Sequence, residues 1–267
     1  MDNFDIYKLK TAGLTNQQVI NVLEYAEIRE KELSVKDMAV VSECRNPALF
    51  IEKYLQLDDD LLRQEFEKFP SFSILEDVYP WDLSEIYNPP VLLFYKGNLD
   101  LLKLPKVAVV GSRNSSRVGS QSVQKIIKEL NNELVIVSGL ARGIDTSAHM
   151  AALQNGGRTI AVIGTGLDVF YPRANKKLQS YLGEHHLVLS EYGSEAEPLK
   201  FHFPERNRII AGLCRGVIVA EAKMRSGSLI TCERAMEEGR DVFAIPGSIL
   251  DGRSDGCHHL IQEGAKC

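Results

Sequence analysis

Along the first seventy or so residues apolar positions recur at helical spacing, whereas beyond about residue 85 they gather into short unbroken runs. In GLTNQQVINVLEYAE, Val19, Ile20, Val22 and Leu23 fall on one face behind Thr15, whose hydroxyl can cap the helix start. PALFIEKYLQL continues the pattern, so helices are expected from Tyr7 to about Phe69. The next stretch, FPSFSILEDVYPWDLSEIYNPP, carries Pro70, Pro80, Pro89 and Pro90 with little periodicity, which predicts an ordered connector. Seven β-rich runs follow, separated by amphipathic stretches: VLLFYKG, KVAVVG, LVIVSG, TIAVIG, LVLSEY, GVIVAEA and DVFAIPG. Continuous apolar strands alternating with helices suit a parallel sheet covered on both faces. The expected fold class is therefore α/β, an enlarged doubly wound, mostly parallel sheet over residues 86–267. A small all-α domain with its connector precedes it over residues 1–85.

Two of the runs end in glycine turns carrying polar or basic side chains. KVAVVG leads into Gly111, Ser112 and Arg113, and LVIVSG leads into Ser138, Gly139, Arg142 and Asp145. Glycines let the backbone approach an anion, the N–H groups of the following helix point at it, and arginines add paired donors. The ligand expected at the strands' carboxyl ends carries phosphate.

Three further stretches extend this chemistry. After VIGTGLDVFYP come Arg173, Lys176 and Lys177, and Tyr171 beside them can stack on a base; packing of Phe170 and Tyr171 in the core is the alternative. KFHFPERNRIIAGLCRG brings together Lys200, Phe201, His202, Phe203, Arg206, Asn207, Arg208 and Arg215. Pro204 can open a helix there, and cations in its first turn oppose the helix dipole unless an anion joins them. A salt bridge from one of these arginines to Glu191 or Glu221 is the structural alternative. In AEAKMRSGSLIT, Lys223 and Arg225 precede a helix opening at Ser226, Gly227 and Ser228, where a phosphate site and a simple serine cap are both open readings.

Composition sharpens the picture in one respect. The net charge of the 267 residues is −5, but residues 1–100 hold 10 Lys and Arg against 19 Asp and Glu, a net of −9. Residues 101–267 hold 21 against 17, a net of +4, so the basic charge accompanies the glycine turns. No apolar run approaches the roughly 20 residues of a membrane span, and the start lacks a signal-peptide layout, which predicts a cytoplasmic protein. Five scattered cysteines with no CxxC spacing fit reduced thiols better than a zinc site. GxSxG and GxxxxGK[ST] are absent and the dinucleotide fingerprint is incomplete, so binding is expected rather than catalysis, with no cofactor and no metal.

Six motifs in order, VAVVGSR, SGLARGID followed by AH, VIGTGLDVFYP, FPERNRIIAGL, AKMRSGSLIT and GRDVFAIPG, closely resemble the bacterial DNA-processing protein A (DprA, Smf) family in a streptococcal version. The N-terminal helices resemble its sterile-alpha-motif-like domain. The resemblance implies an extended Rossmann domain that binds and protects single-stranded DNA and helps load the RecA recombinase in natural transformation (competence) and homologous recombination. It implies a DNA pocket at Gly111, Ser112, Arg113 and Arg173. Motif and edge position add Ser138, Gly139, Arg142, Asn207, Arg208, Lys223, Ser226 and Gly227. It also implies a homodimer through the C-terminal part, whose surface meets RecA, with Met236, His258, His259, Leu260 and Gln262 at that interface. A further strand and helix are expected beyond Cys267. The rival is a nucleotide-processing enzyme of the Rossmann-like phosphoribohydrolase type, because GSLITCE, with Thr231 and Glu233, loosely echoes that group's phosphate loop.

Overall fold

The structure, a computed structural model, describes residues 1–29 and 32–267. The chain opens with helices α1 (Asn3–Thr11), α2 (Asn16–Arg29), α3 (Val35–Val41), α4 (Pro47–Gln56) and α5 (Asp59–Phe66). Thr15 caps α2 as its sequence suggests. Its Oγ1 accepts from the Gln18 N–H at 3.3 Å while the Gln18 side chain accepts from the Thr15 N–H at 2.9 Å.

Strand β1 (Ser71–Ser73), helix α6 (Trp81–Ser84) and strand β2 (Leu92–Gly97) come next. The rest alternates: β3 (Lys106–Val110), α7 (Arg117–Glu129), β4 (Val135–Ser138), α8 (Ile144–Gln154), β5 (Thr159–Ile163), α9 (Lys176–His185), β6 (Leu187–Ser190), α10 (His202–Gly212), β7 (Gly216–Val219), α11 (Gly227–Glu237), β8 (Asp241–Ala244) and α12 (Asp255–Gln262). Two details differ from expectation. The sheet has eight strands rather than seven, because β1, inside the proline-rich connector, pairs antiparallel with β2. Helix α10 begins at His202, two residues before Pro204.

The strand order is β1-β2-β6-β5-β4-β3-β7-β8, parallel from β6 through β8 and antiparallel at β1–β2 and β2–β6. Successive strand residues alternate between two layers, as the pleat requires. Ala108, Val110, Val137, Val162, Leu189 and Val219 face α10, α11 and α12, while Val107, Val109 and Ile136 face α7 and α8. On that second face, Ile6, Leu9, Val19 and Val22 of the N-terminal helices join Leu92, Phe94, Ala161, Ile163 and Val188 in one continuous core. Burying such side chains stabilises by roughly 1.5–3 kcal/mol each, so the N-terminal helices are a layer of the sheet's own packing.

From β3 the chain moves outward one way through β4, β5 and β6. It then returns to the other side of β3 with β7 and β8. This topology splays the loops after β3 and β7 in opposite directions and opens a crevice between them at the strands' carboxyl ends.

Candidate functional site

A cleft of about 530 Å³ occupies that crevice. Its walls are Gly111, Ser112, Arg113 and Asn114 after β3, Phe203, Arg206 and Asn207 on α10, and Lys223 to Ser228 between β7 and α11. The loop after β3 is held by main-chain bonds. The Ser112 N–H donates to the Glu221 carbonyl at 2.6 Å, and the Ser112 carbonyl accepts from Ile144 N–H at 3.1 Å. A Cβ on Gly111 would come within 2.7 Å of Ile144 and 2.8 Å of the Glu221 carbonyl, so only glycine lets the two switch-point loops approach. Beneath them the buried Glu221 carboxylate accepts from Ser116 Oγ at 2.5 Å and from Ser116 N–H at 3.1 Å. This caps the turn into α7 from the neighbouring strand.

The floor is charged and buried. Arg206, 4% exposed, donates through Nη1 to the Val162 carbonyl, while its Nε has no partner among the described residues. Burial lowers its pKa to about 10, with the Asp145 carboxylate opposing the shift, so the guanidinium is charged at neutral pH. Asp145 accepts from the Ala141 N–H at 3.3 Å; burial raises its carboxyl pKa while the Arg206 charge pulls it back. Gly139 lies against the Arg206 guanidinium with no room for a Cβ, so its role is to seat that arginine rather than to meet a ligand.

The rim differs. Arg113 is exposed and leans on the Phe203 ring, 5.6 Å from its centroid, and Phe203 packs on Tyr171 at 5.4 Å. Lys223 and Arg225 are exposed on the facing loop, and Ser226 caps α11, whose N-terminus opens into the cleft. Arg142 and Arg173 are exposed outside the cleft lining, and neither has an acidic partner among the described residues.

Of the expected site residues, the structure gathers Gly111, Ser112, Arg113, Asn207, Lys223, Ser226 and Gly227 around one cavity. Besides Gly139, two are engaged elsewhere. Ser138 is fully buried and donates to the Val109 carbonyl at 2.6 Å, tying β4 to β3. Arg208 donates through the single nitrogen Nη2 to both carboxylate oxygens of Glu191, at 2.5 and 2.6 Å, one of the two acceptors named from sequence. Helical periodicity explains the split: Phe203, Arg206, Asn207 and Ile210 share the face that lines the cleft, and Arg208 falls off it.

At the C-terminal end, Leu260 is 4% exposed within the core, so it cannot present itself to a partner. His258 is partly buried and bonds Gly247 through Nε2, whereas Met236, His259 and Gln262 are exposed. Glu233, part of the phosphoribohydrolase echo, is exposed and does not line the cleft, although Thr231 does. Among the described residues no cluster suited to a metal ion occurs, and no helix is long and apolar enough to cross a membrane.

A switch-point cleft with a glycine turn, a helix N-terminus, rim cations that have no acidic partner among the described residues and a neighbouring pair of aromatic rings has the layout of an anion site on a sheet of the extended Rossmann class. The chain belongs to the DNA recombination-mediator protein A family, which matches residues 71–267, while residues 1–62 match the DNA processing protein A sterile alpha motif domain. It is 77% identical over 264 residues to the DNA processing protein DprA of Streptococcus pneumoniae, covering 99% of this chain and 94% of that one. It is 50% identical to the Bacillus subtilis DprA over 190 residues, which span 70% of this chain and 64% of that protein. The S. pneumoniae crystal structure superposes with a TM-score of 0.98 over 100% of this chain and 94% of that one. A Helicobacter pylori DNA processing protein A structure, described for its single-stranded DNA binding mode, superposes with a TM-score of 0.67 at 32% identity, covering 74% and 90%.

Proposed function

We propose that this chain binds single-stranded DNA in the switch-point cleft, protects it, and delivers it to a RecA-type recombinase during natural transformation. One observation carries the reading: the cations on the cleft rim have no acidic partner among the described residues, while the ring of Phe203 stands beside Arg113. Arg113 and Lys223 neutralise phosphates, the α11 N-terminus takes another, and an unpaired base stacks against Phe203. Bases paired in a duplex are turned inward and cannot enter. The H. pylori relative, whose structure is described for its single-stranded DNA binding mode, supports a single strand as the ligand. Met236, His259 and Gln262 offer an exposed surface away from the cleft for a second copy or for the recombinase. The role is binding, and no nucleophile and base are paired in the cleft to suggest a reaction.

The test is fluorescence anisotropy of labelled oligo-dT and its duplex counterpart at several salt concentrations. Single-strand binding that weakens with salt, with little binding to duplex, is expected, and the slope reports the number of phosphates held. Equal affinity for the duplex would sink the cleft reading.

A further inference from the structure

Helix α10 has two working faces. One carries Phe203, Arg206 and Asn207 to the cleft; the other carries Arg208 onto Glu191, just beyond β6, where both side chains are about a tenth exposed. Glu191 Oε1 also accepts from Asn16 Nδ2 at 2.9 Å, at the first residue of α2, and Asn16 Oδ1 accepts from Lys10 Nζ at 2.8 Å. The next residue, Tyr192, stacks on His202 with ring centroids 3.8 Å apart, and its hydroxyl donates to Glu205 at 3.1 Å, both in the first turn of α10. Gly193 then lies so close to α1 that an added Cβ would meet Tyr7 Oη at 2.5 Å. Residues 191–193 are thus clamped between the N-terminal helices and α10.

Among the described residues none of the N-terminal helices lines the cleft, and the net of −9 over residues 1–100 makes them a poor surface for phosphate. We propose that Asn16, Glu191 and Tyr192 are positioning residues through which the N-terminal helical layer fixes α10. That layer therefore sets the affinity of a cleft it does not touch. The inference rests on the single-strand reading above. Its physical basis is that Arg206 and Asn207 share a rigid helix with Arg208, so a shift at the Arg208–Glu191 pair displaces the cleft wall.

The experiment uses the full chain and labelled oligo-dT. Asn16→Ala, which removes the link to Glu191 but keeps the ion pair, is expected to weaken binding by about 3- to 10-fold. The salt slope should be unchanged, because the same phosphates are held. Double-mutant cycles separate positioning from general loosening. Combined with Asn207→Ala, on α10, the loss should fall short of the product of the single losses; combined with Lys223→Ala, on the other wall, it should equal the product. Unchanged affinity in Asn16→Ala, or simple products in both cycles, overturns the proposal. If Asn16→Ala is too unstable to remain folded during titration, Lys10→Met removes only the outer hydrogen bond and should show the same pattern on a smaller scale. Failure of the unaltered chain to bind oligo-dT would remove the underlying reading instead, before any variant is made.

Discussion

The two ends of the parallel sheet handle polar groups in opposite ways, and β3 displays both. At its start, Lys106 is 8% exposed and donates through Nζ to the carbonyls of Leu102 at 2.7 Å and Leu104 at 2.9 Å. Past its end, Arg113 is exposed and meets only the face of an aromatic ring. His149 repeats the first case. Its Nδ1 bonds the hydroxyl of Thr159, the first residue of β5, at 2.7 Å, and that hydroxyl donates onward to Ile136 O at 2.7 Å. The hydroxyl's hydrogen being committed, Nδ1 must donate; burial keeps the imidazole neutral, so Nε2 is a buried acceptor without a partner among the described residues. At the amino end, polar side chains complete the protein's own hydrogen bonding. At the carboxyl end of β3 and β7, the α11 N-terminus and the rim cations face outward, which is where the proposed strand would complete them.

The sharpest test of this division removes two rim cations. Arg113→Ala with Lys223→Ala is expected to weaken single-strand binding by about 2–6 kcal/mol, from roughly 1–3 for each contact. The salt slope should fall by about 1.4, or roughly 0.7 per lost phosphate contact, with thermal stability nearly unchanged. Calorimetry and anisotropy on the same preparation check both halves. The converse is Lys106→Met, which orphans two carbonyls. It should lose about 1–3 kcal/mol in denaturant unfolding while binding oligo-dT as tightly as the parent. A variant that bound poorly though fully folded would break the comparison.

His149 adds a pH signature to the amino end. Burial lowers its pKa to about 3 in the folded chain, below the ordinary 6.5. A depressed histidine leaves stability complete above pH 6.5 and removes it as pH falls from there toward 3, because only the unfolded chain gains the proton. Between pH 6.5 and 5 the loss is about 1.6 kcal/mol. His149→Gln should flatten this limb of a thermal-midpoint profile, and an unaltered acid limb would assign the lability to other groups.

Much of this was legible in the sequence where one rule decided the outcome. The seven apolar runs read as strands because both faces of a parallel sheet are buried, leaving no alternation to confuse with helix. Strand β1 escaped because three residues, Ser71 to Ser73, carry too little pattern, and pairing with β2 supplies the rest. The glycine turns and KMRSGS were legible because their composition serves few purposes other than approach to an anion. Ser138 misled because its place at a strand end does not say which way the side chain points. Arg206 and Arg208 are separable by helical spacing from Phe203, but only once that ring is known to face the cleft. Leu260 and Cys257, three apart, both lie on the buried side of α12, a spacing that assigns Leu260 to the core.

Arg142 and Arg173 sharpen the comparison at its weakest point, since they share the carboxyl end but not the cleft lining. Each is exposed and without an acidic partner among the described residues, so each adds to the positive field that the proposed strand would meet on leaving the cavity. A fully solvated contact is screened within about 8–10 Å at physiological salt and holds its phosphate loosely. Arg142→Ala or Arg173→Ala should therefore cost about threefold in affinity for a long oligo-dT and lower the salt slope by about 0.7. The effect should vanish on an oligonucleotide too short to reach past Phe203. Titrating each variant against a length series measures this directly. An equal loss at every length would place that arginine inside the binding cleft.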